Sequence, residues 1–84
     1  MLVISRRPGE RLQIEDIVVT VVRVSHGIAE VSFRKRRSAP IVLTLQEAEF
    51  VEGCYNVRMG LVNAERGKAR LGSEVPEDVK VARL

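Results

Sequence analysis

Cysteine, histidine and aromatic residues are scarce in this 84-residue sequence, and each shortage excludes a class of protein. The single cysteine, Cys54, cannot form an internal disulfide, so the chain is not a disulfide-stapled secreted domain. One histidine, His26, and one distant cysteine are too few ligands for a structural zinc site within one chain. Aromatic residues make up only 4%, without tryptophan, which leaves too few rings for the base-stacking platforms of RNA-recognition motifs and OB-folds.

Long hydrophobic runs and catalytic motifs are also missing. No apolar stretch approaches the roughly 18 to 20 residues of a membrane span, and the N-terminal segment does not have the order of a secretory leader. We therefore expect a cytoplasmic protein without a membrane partner. No phosphate-binding glycine loop, paired carboxylates or nucleophile–base pair can be recognised. His26 reads as a turn residue and Cys54 as a small core residue, so we expect no enzyme, no metal and no cofactor.

Positive charge is unevenly distributed along the chain. Lysine and arginine total 14 against 11 acidic residues, a net charge of +3, and eleven of the fourteen basic residues are arginine. Residues 1–40 carry eight basic and four acidic side chains (+4), whereas residues 41–84 carry six and seven (−1). This asymmetry indicates an anionic partner for one face of the molecule.

Alternating and β-branched segments predict an all-β domain, mainly of antiparallel strands. A Pro8–Gly9 pair predicts a type II turn after the first strand, and Ile17–Val24 is β-branched almost throughout. One short helix is predicted over Thr44–Phe50, because Thr44 and Glu47 have the spacing of a capping box. The total is about eight strands and one short helix. The predicted strands cover residues 2–7, 12–14, 17–24, 28–33, 41–43, 57–61, 69–71 and 79–83.

A weak internal repeat appears when the sequence is shifted by forty residues. Gly27 then falls on Gly67, Ala29 on Ala69 and Val31 on Leu71. Hairpins of similar β composition also align in this way by chance, so duplication and coincidence both stay open. We interpret residues 1–84 as one domain, with 1–52 and 55–84 as a candidate partial repeat.

Two terminal motifs resemble the carbon storage regulator family of bacteria. The opening MLVISRRPGERLQI and the closing KARLGSEVPEDVKVAR are similar to the family's two signatures, in the same order. The resemblance implies a β-barrel or sandwich formed by strand exchange, either as a homodimer or as a single-chain pseudo-dimer. It also implies binding to GGA-containing loops of messenger leaders or small regulatory RNAs, and so control of translation or message stability.

The chain is longer than a typical member of that family, and two alignments are open. In the first, residues 1–52 form a nearly complete family unit with Thr44–Phe50 as its helix, and residues 55–84 repeat the last three strands. In the second, residues 1–14 and 55–84 form the unit and 17–54 is an insertion. The hairpin over Ile17–Phe33 resembles the family's central hairpin, which favours the first alignment.

The resemblance places RNA across the first strand and a neighbouring last strand. The residues carried over are Ile4, Arg6 and Arg7 on the first strand, and Val81, Ala82 and Arg83 on the last strand. Arginine guanidinium groups are planar donors suited to phosphates and guanine edges. In the first copy, the position that corresponds to Arg83 falls on Leu45 or Gln46, so one good site is expected in place of two.

The densest run of positive charge predicts a second type of contact. We interpret Arg34, Lys35, Arg36 and Arg37 as either a solvated loop or a sequence-independent phosphate contact. The main functional hypothesis is an RNA-binding post-transcriptional regulator. The alternative is a protein-interaction module that pairs with a carbon storage regulator relative without binding RNA itself.

Overall fold

Nine β-strands form two antiparallel sheets in the computed structural model, which describes residues 2–52, 57–75 and 79–84. Those residues contain no helix, and hence none with the length and apolar character that crossing a membrane requires. The prediction of an all-β domain is confirmed. The strands are β1 (Leu2–Arg6), β2 (Arg11–Ile14), β3 (Ile17–Ser25), β4 (Ile28–Lys35), β5 (Ile41–Gln46), β6 (Phe50–Glu52), β7 (Arg58–Glu65), β8 (Lys68–Glu74) and β9 (Val81–Arg83).

The two sheets exchange strands between the two halves of the chain. The four-stranded sheet has the order β1-β8-β7-β6, and the five-stranded sheet has the order β5-β4-β3-β2-β9. The first strand of the chain therefore pairs with the late strand β8, whereas β5, which begins the second half, pairs back with β4. Strands β1 to β4 and strands β5 to β8 occupy equivalent places, and β9 is the one additional described strand.

The two long hairpins are equivalent residue by residue at an offset of forty. Ser25 pairs with Ile28 at the tip of the β3–β4 hairpin, and Glu65 pairs with Lys68 at the tip of the β7–β8 hairpin. Each hairpin has a β-bulge at the same place, between Val21 and Arg23 in the first and between Leu61 and Asn63 in the second. A shared bulge is a specific structural correspondence, because bulges reset the pairing register.

The turns that carry the chain from one sheet to the other are equivalent at an offset of 39. In the first turn, the Glu10 N–H donates to the Arg7 carbonyl at 2.9 Å and Gly9 has a φ of 87°, which confirms the predicted type II turn. In the second turn, the Glu49 N–H donates to the Gln46 carbonyl at 3.2 Å, and Ala48 has a φ of 66°. Alanine thus occupies the left-handed position that glycine holds in the first turn.

The helix predicted over Thr44–Phe50 is wrong. Residues 41–46 form β5, and Phe50 begins β6 after the turn at Ala48. The Glu47 carboxylate does not cap a helix; its Oε1 accepts the backbone N–H of Ala64 at 3.0 Å. Pairing of β5 along β4 provides the backbone hydrogen bonds that a short helix would have made within itself.

The core lies between the two sheets, where β7 packs on β3, β4 and β5. Among the described residues, its buried apolar side chains are aliphatic apart from Met59 and the fully buried aromatic ring of Phe33. The small residues Ala29 and Ala69 occupy equivalent places on β4 and β8 and are also fully buried. The other large, fully buried side chains are Leu12, Ile14, Val19, Val21, Val31, Leu45, Met59, Leu61 and Leu71.

Candidate nucleic-acid interface

The first and last strands each lie at the edge of a sheet. Strand β1 ends the four-stranded sheet and β9 ends the five-stranded sheet. The two strands are linked through β2: the turn at Pro8–Gly9 leads from β1 into β2, and β9 pairs with β2. Arg83 lies opposite Leu12, and the Leu84 N–H donates to the Arg11 carbonyl at 3.2 Å. The end of β9 is therefore placed beside the segment that follows Arg7.

Arg6 and Arg83 share an unusual position on these edge strands. Arg6 pairs with the fully buried Ala69, and Arg83 pairs with Leu12, which is 2% exposed. Cross-strand partners lie on the same face of a sheet, so both arginines begin on the core-facing side. Arg6 is half-buried and its Nε donates to the Ser5 carbonyl at 2.8 Å, whereas Arg83 is exposed. At an edge, the aliphatic stem packs inward while the guanidinium reaches water.

The neighbouring residues of the two strands differ in accessibility. Ile4 belongs to the core and is only 5% exposed, so its side chain has almost no surface to offer a base. Val81 is half-buried and packs against the core. Ala82 is exposed and pairs with Gln13, which places it on the outer face of its sheet. Arg7 is exposed just beyond β1, and its backbone N–H donates to the Glu10 carboxylate at 2.7 Å.

The backbone of β9 presents hydrogen-bonding groups at the free edge. The Glu15 N–H donates to the Lys80 carbonyl at 3.4 Å, and the Leu84 N–H donates to the Arg11 carbonyl. In an antiparallel pair, hydrogen-bonded residues alternate, so Ala82 directs its N–H and C=O toward β2. The N–H and C=O groups of Val81 and Arg83 then point away from β2, toward the open edge. Such groups can bind the edges of unstacked bases.

The four basic residues at 34–37 do not lie on one face of the sheet, because side chains alternate between the two faces of a strand. Arg34 ends on the outer face of the five-stranded sheet, and Lys35 lies on the opposite face, paired with the buried Ile17. Arg36 has a φ of 49°, and its Nε lies 3.4 Å from a carboxylate oxygen of Asp16. Arg37 is exposed in the following turn. The four cations therefore do not form one continuous patch.

An open groove of about 620 Å³ lies on the outer face of the five-stranded sheet. The sequence did not predict this groove, because strand register is needed to place Arg11 in the same groove as Arg34 and Arg36. Residues of the three central strands, both polar and apolar, line its floor. The lining residues are Arg11, Gln13, Asp16, Val18, Thr20, Val22, Ser32, Arg34, Arg36 and Pro40.

A second basic groove, of about 390 Å³, lies on the outer face of the four-stranded sheet beside β1. Arg7 is the only one of the predicted site residues in it. The spacing of Lys68 and Arg70, two apart in a strand, was a sequence signal for a shared face that we did not use. The lining residues are Ser5, Arg7, Asn63, Glu65, Arg66, Lys68 and Arg70.

The equivalent edge in the other half of the molecule carries no arginines. The pairing of β5 with β4 matches that of β1 with β8, so Leu45 stands at the place of Arg6 and Gln46 at the place of Arg7. The prediction that Leu45 or Gln46 corresponds to Arg83 is wrong, because the strand register makes both residues equivalent to the end of the first strand. Leu45 is fully buried. Within the described residues, no strand lies beyond β6 where β9 lies beyond β2.

The structure describes His26 but not Cys54. His26 is exposed at the tip of the β3–β4 hairpin. Cys54 lies outside the described residues. No group of three or more metal-ligating side chains is found in residues 2–52, 57–75 and 79–84.

Comparison with known proteins identifies the family from the first half of the chain. The model of CsrA, the global regulator protein family, matches residues 1–42, which is half of the 84 residues. No curated protein and no solved structure matches the chain. The matched range covers β1 to β4 without a break, including the Ile17–Phe33 hairpin that the second alignment treated as inserted. Because this match covers half of the chain and the fold is all-β, the chain belongs to the CsrA family of RNA-binding, post-transcriptional global regulators.

Proposed function

We propose that this protein binds GGA-containing loops of messenger leaders or small regulatory RNAs and controls translation or message stability by occupying them. One observation carries the proposal: the end of β9 pairs with the start of β2, so that Arg83 lies opposite Leu12, five residues after Arg7 in the sequence. Arginines from both ends of the sequence are thereby brought to one region. Such binding requires no covalent chemistry, and the cytoplasm, where messenger leaders are translated, is its expected location.

The proposed site combines charge with an open strand edge. Arg6, Arg7 and Arg83 supply guanidinium groups for phosphates or guanine edges. The outward N–H and C=O groups of Val81 and Arg83 supply donors and acceptors for unstacked bases. The half-buried Val81 offers a limited apolar contact, and the exposed Ala82 lies on the outer face. Ile4 supports the strand from the core and takes no direct part.

We further propose that the molecule has one such site and functions as a single chain. Residues 1–84 form one domain of two related units that meet between β4 and β5, rather than between residues 52 and 55. Each sheet already contains strands from both units, so neither needs a second chain to complete the exchange. We expect a mass near 9.4 kDa in sedimentation equilibrium. A mass of twice that value would instead support the homodimer expected from the family.

The function is tested by titrating a labelled hairpin with GGA in its loop, beside the same hairpin with CCA, at two salt concentrations. We expect tight binding to GGA and much weaker binding to CCA. Equal, strongly salt-dependent binding to both would show a generic polyanion surface and contradict the proposal.

The site is tested by Arg83→Ala, with Lys80→Ala as the matched control on the same segment. Loss of one bidentate contact costs about 1–3 kcal/mol, or roughly 5- to 150-fold in affinity for the GGA hairpin. Lys80 is exposed on the opposite face from Arg83, so its variant should retain nearly full affinity. Full affinity in the Arg6→Ala/Arg83→Ala double variant would refute the site.

The alternative, a protein-interaction module, is favoured by one feature. Strand β6 has no described neighbour on its outer side, and an unpaired edge can accept a strand from another protein. A stable complex with a CsrA-family relative, together with no shift of the GGA hairpin, would support this function over RNA binding.

A further inference from the structure

The outer groove of the five-stranded sheet, defined here by Arg11, Gln13, Thr20, Ser32, Arg34 and Arg36, is a separate basic surface. It lies on the face that points away from the core, whereas Arg6 and Arg83 begin on the core-facing side. We infer that this groove binds the phosphate backbone of single-stranded RNA flanking the GGA loop. This inference rests on the proposed function, and it assigns the groove to a part of the RNA that the loop site does not contact.

The charges of the groove are available for a ligand. Arg11 and Arg34 are exposed and make no side-chain hydrogen bond or ion pair with another described residue. Arg36 pairs with Asp16, so three arginines against one aspartate leave the groove with a charge of +2. Gln13, Thr20 and Ser32 add hydrogen-bonding side chains, because hydroxyl and amide groups can contact phosphate and ribose oxygens.

The spacing of the two free arginines suits a nucleic-acid strand. Thr20 pairs with both Arg11 and Ser32, and Val18 pairs with Arg34. Arg11 and Arg34 therefore lie two strands apart and are offset by two residues along the strands, a separation of about 12 Å. Long, flexible arginine side chains at this separation can contact phosphates that are not immediate neighbours. The few aromatic residues of this chain are not needed, since the contact is electrostatic and independent of base identity.

The equivalent face of the four-stranded sheet shows that this groove is not a general consequence of the fold. Register places Phe50 at the position of Arg11 and Gly60 at the position of Thr20. The Phe50 ring lies over Gly60, where an added Cβ would come within 2.6 Å of its Cδ1 atom. This side chain fills the space that is open on the other sheet.

The charge of that equivalent face is also different. Glu74 stands at the position of Arg34, and Arg58 stands at the position of Val18. Arg58 is engaged by its neighbours: its Nη1 lies 3.7 Å from a Glu74 carboxylate oxygen, and its guanidinium carbon lies 5.8 Å from the centre of the Phe50 ring. With Glu52 opposite Arg58, these positions carry a net charge of −1. Of these two equivalent sets of positions, only the set on the five-stranded sheet is therefore open and basic; the basic groove beside β1 lies elsewhere on the four-stranded sheet.

The groove begins close to the proposed loop site, although it lies on the other face of the sheet. Arg11 begins β2 directly after the β1–β2 turn, and its carbonyl accepts the N–H of Leu84, the residue after Arg83. An RNA strand that leaves the loop at Arg83 can pass Arg11 and continue toward Arg34. The groove would thus extend the bound length without adding sequence specificity.

The test compares the GGA hairpin with the same hairpin carrying a single-stranded uridine tail of about eight nucleotides, placed at either end. Each phosphate contact contributes about 0.7 to the slope of log affinity against log salt, so it is worth roughly five-fold between 1 M and 0.1 M salt. The RNA used is the one of the two tailed hairpins that wild type binds more tightly. At 0.1 M salt, the Arg34→Gln variant should bind this RNA about five-fold more weakly than wild type, and the Arg11→Gln/Arg34→Gln variant about 25-fold more weakly. The loss should vanish near 1 M salt.

The controls separate this inference from the proposed function. Arg34→Gln should leave the affinity for the tailless hairpin unchanged. Arg58→Gln, an equal change of charge on the other sheet, should leave the affinity for both the tailed and the tailless RNA unchanged. Equal affinity of wild type and Arg34→Gln for the tailed RNA, or an equal loss on the tailless one, would overturn the groove assignment. If wild type shows no preference for GGA but tail binding still depends on Arg34, the groove stands and the proposed function fails.

Discussion

Exchanging the residues at the two equivalent turns should change stability in opposite directions. Gly9 and Ala48 stand at the same place in the β1–β2 and β5–β6 connections, with φ values of 87° and 66°. Alanine in the left-handed region costs about 1–2 kcal/mol. Glycine avoids this cost but loses roughly 0.5–1 kcal/mol through the greater freedom of the unfolded chain. We therefore expect Ala48→Gly to stabilise the fold by about 0.5–1 kcal/mol.

The reciprocal variant, Gly9→Ala, isolates the backbone effect from steric clashes. An added Cβ at Gly9 meets no other atom within 4 Å, so the only cost is the left-handed conformation. We expect a loss of about 1 kcal/mol, which lowers the melting temperature by roughly 4–8 °C in a domain of this size. Ala48 is exposed, so removal of its methyl group costs little burial.

Thermal and urea unfolding, followed by far-UV circular dichroism, would measure both changes. The Ala48→Gly/Gly9→Ala double variant should have nearly the stability of wild type, because no hydrogen bond joins the two turns within the described residues and the effects of distant changes add. A destabilising effect of Ala48→Gly would refute the reasoning, since it would mean that Ala48 is not held in a left-handed conformation.

Two further predictions concern the packing of the sheets. Gly60→Ala should destabilise the protein by about 1–3 kcal/mol in urea unfolding, because the new Cβ would lie 2.8 Å from the Glu49 carbonyl oxygen and 2.6 Å from the Phe50 ring. Thr20→Ala, at the equivalent position of the other sheet, is the control. An unchanged urea midpoint for Gly60→Ala would contradict the close approach of Phe50 to Gly60. Phe33→Ala should cost about 3–5 kcal/mol, because it empties the fully buried aromatic position of the core. A cost below about 1 kcal/mol would show that Phe33 is not enclosed by the two sheets.

The hairpins and the first turn were predictable because their signals are local. The β-branched run over Ile17–Val24, the glycines at 27 and 67, and the Pro8–Gly9 pair each act within a few residues. The helix at Thr44–Phe50 was predicted from an equally local signal, the spacing of Thr44 and Glu47. Interactions with residues distant in the sequence override that signal, because β5 pairs with β4 and the Glu47 carboxylate accepts a hydrogen bond from the backbone N–H of Ala64.

The candidate site was predictable only in part. The alternation of residues in the first strand correctly predicted that Ile4 and Arg6 lie on one face of the strand. It did not predict that this face is buried in the core at Ile4 and only half-buried at Arg6. The outer groove needed the register of three strands, since Arg11 and Arg34 are separated by 23 positions in the sequence. Pairings between such distant residues depend on the whole fold and not on neighbouring residues.

The exchange of strands inside one chain has an evolutionary consequence. In an assembly of two identical chains, every substitution is made twice, so its two symmetric surfaces cannot diverge. Here each half of the molecule is encoded separately, and one surface can change while its counterpart is preserved. Two identical chains could not differ at equivalent positions in the way these two units do. Phe50 stands at the position equivalent to Arg11, Glu74 at that of Arg34, and Leu45 at that of Arg6. A chain that contains two separately encoded units thus permits specialisation of each face within an unchanged architecture.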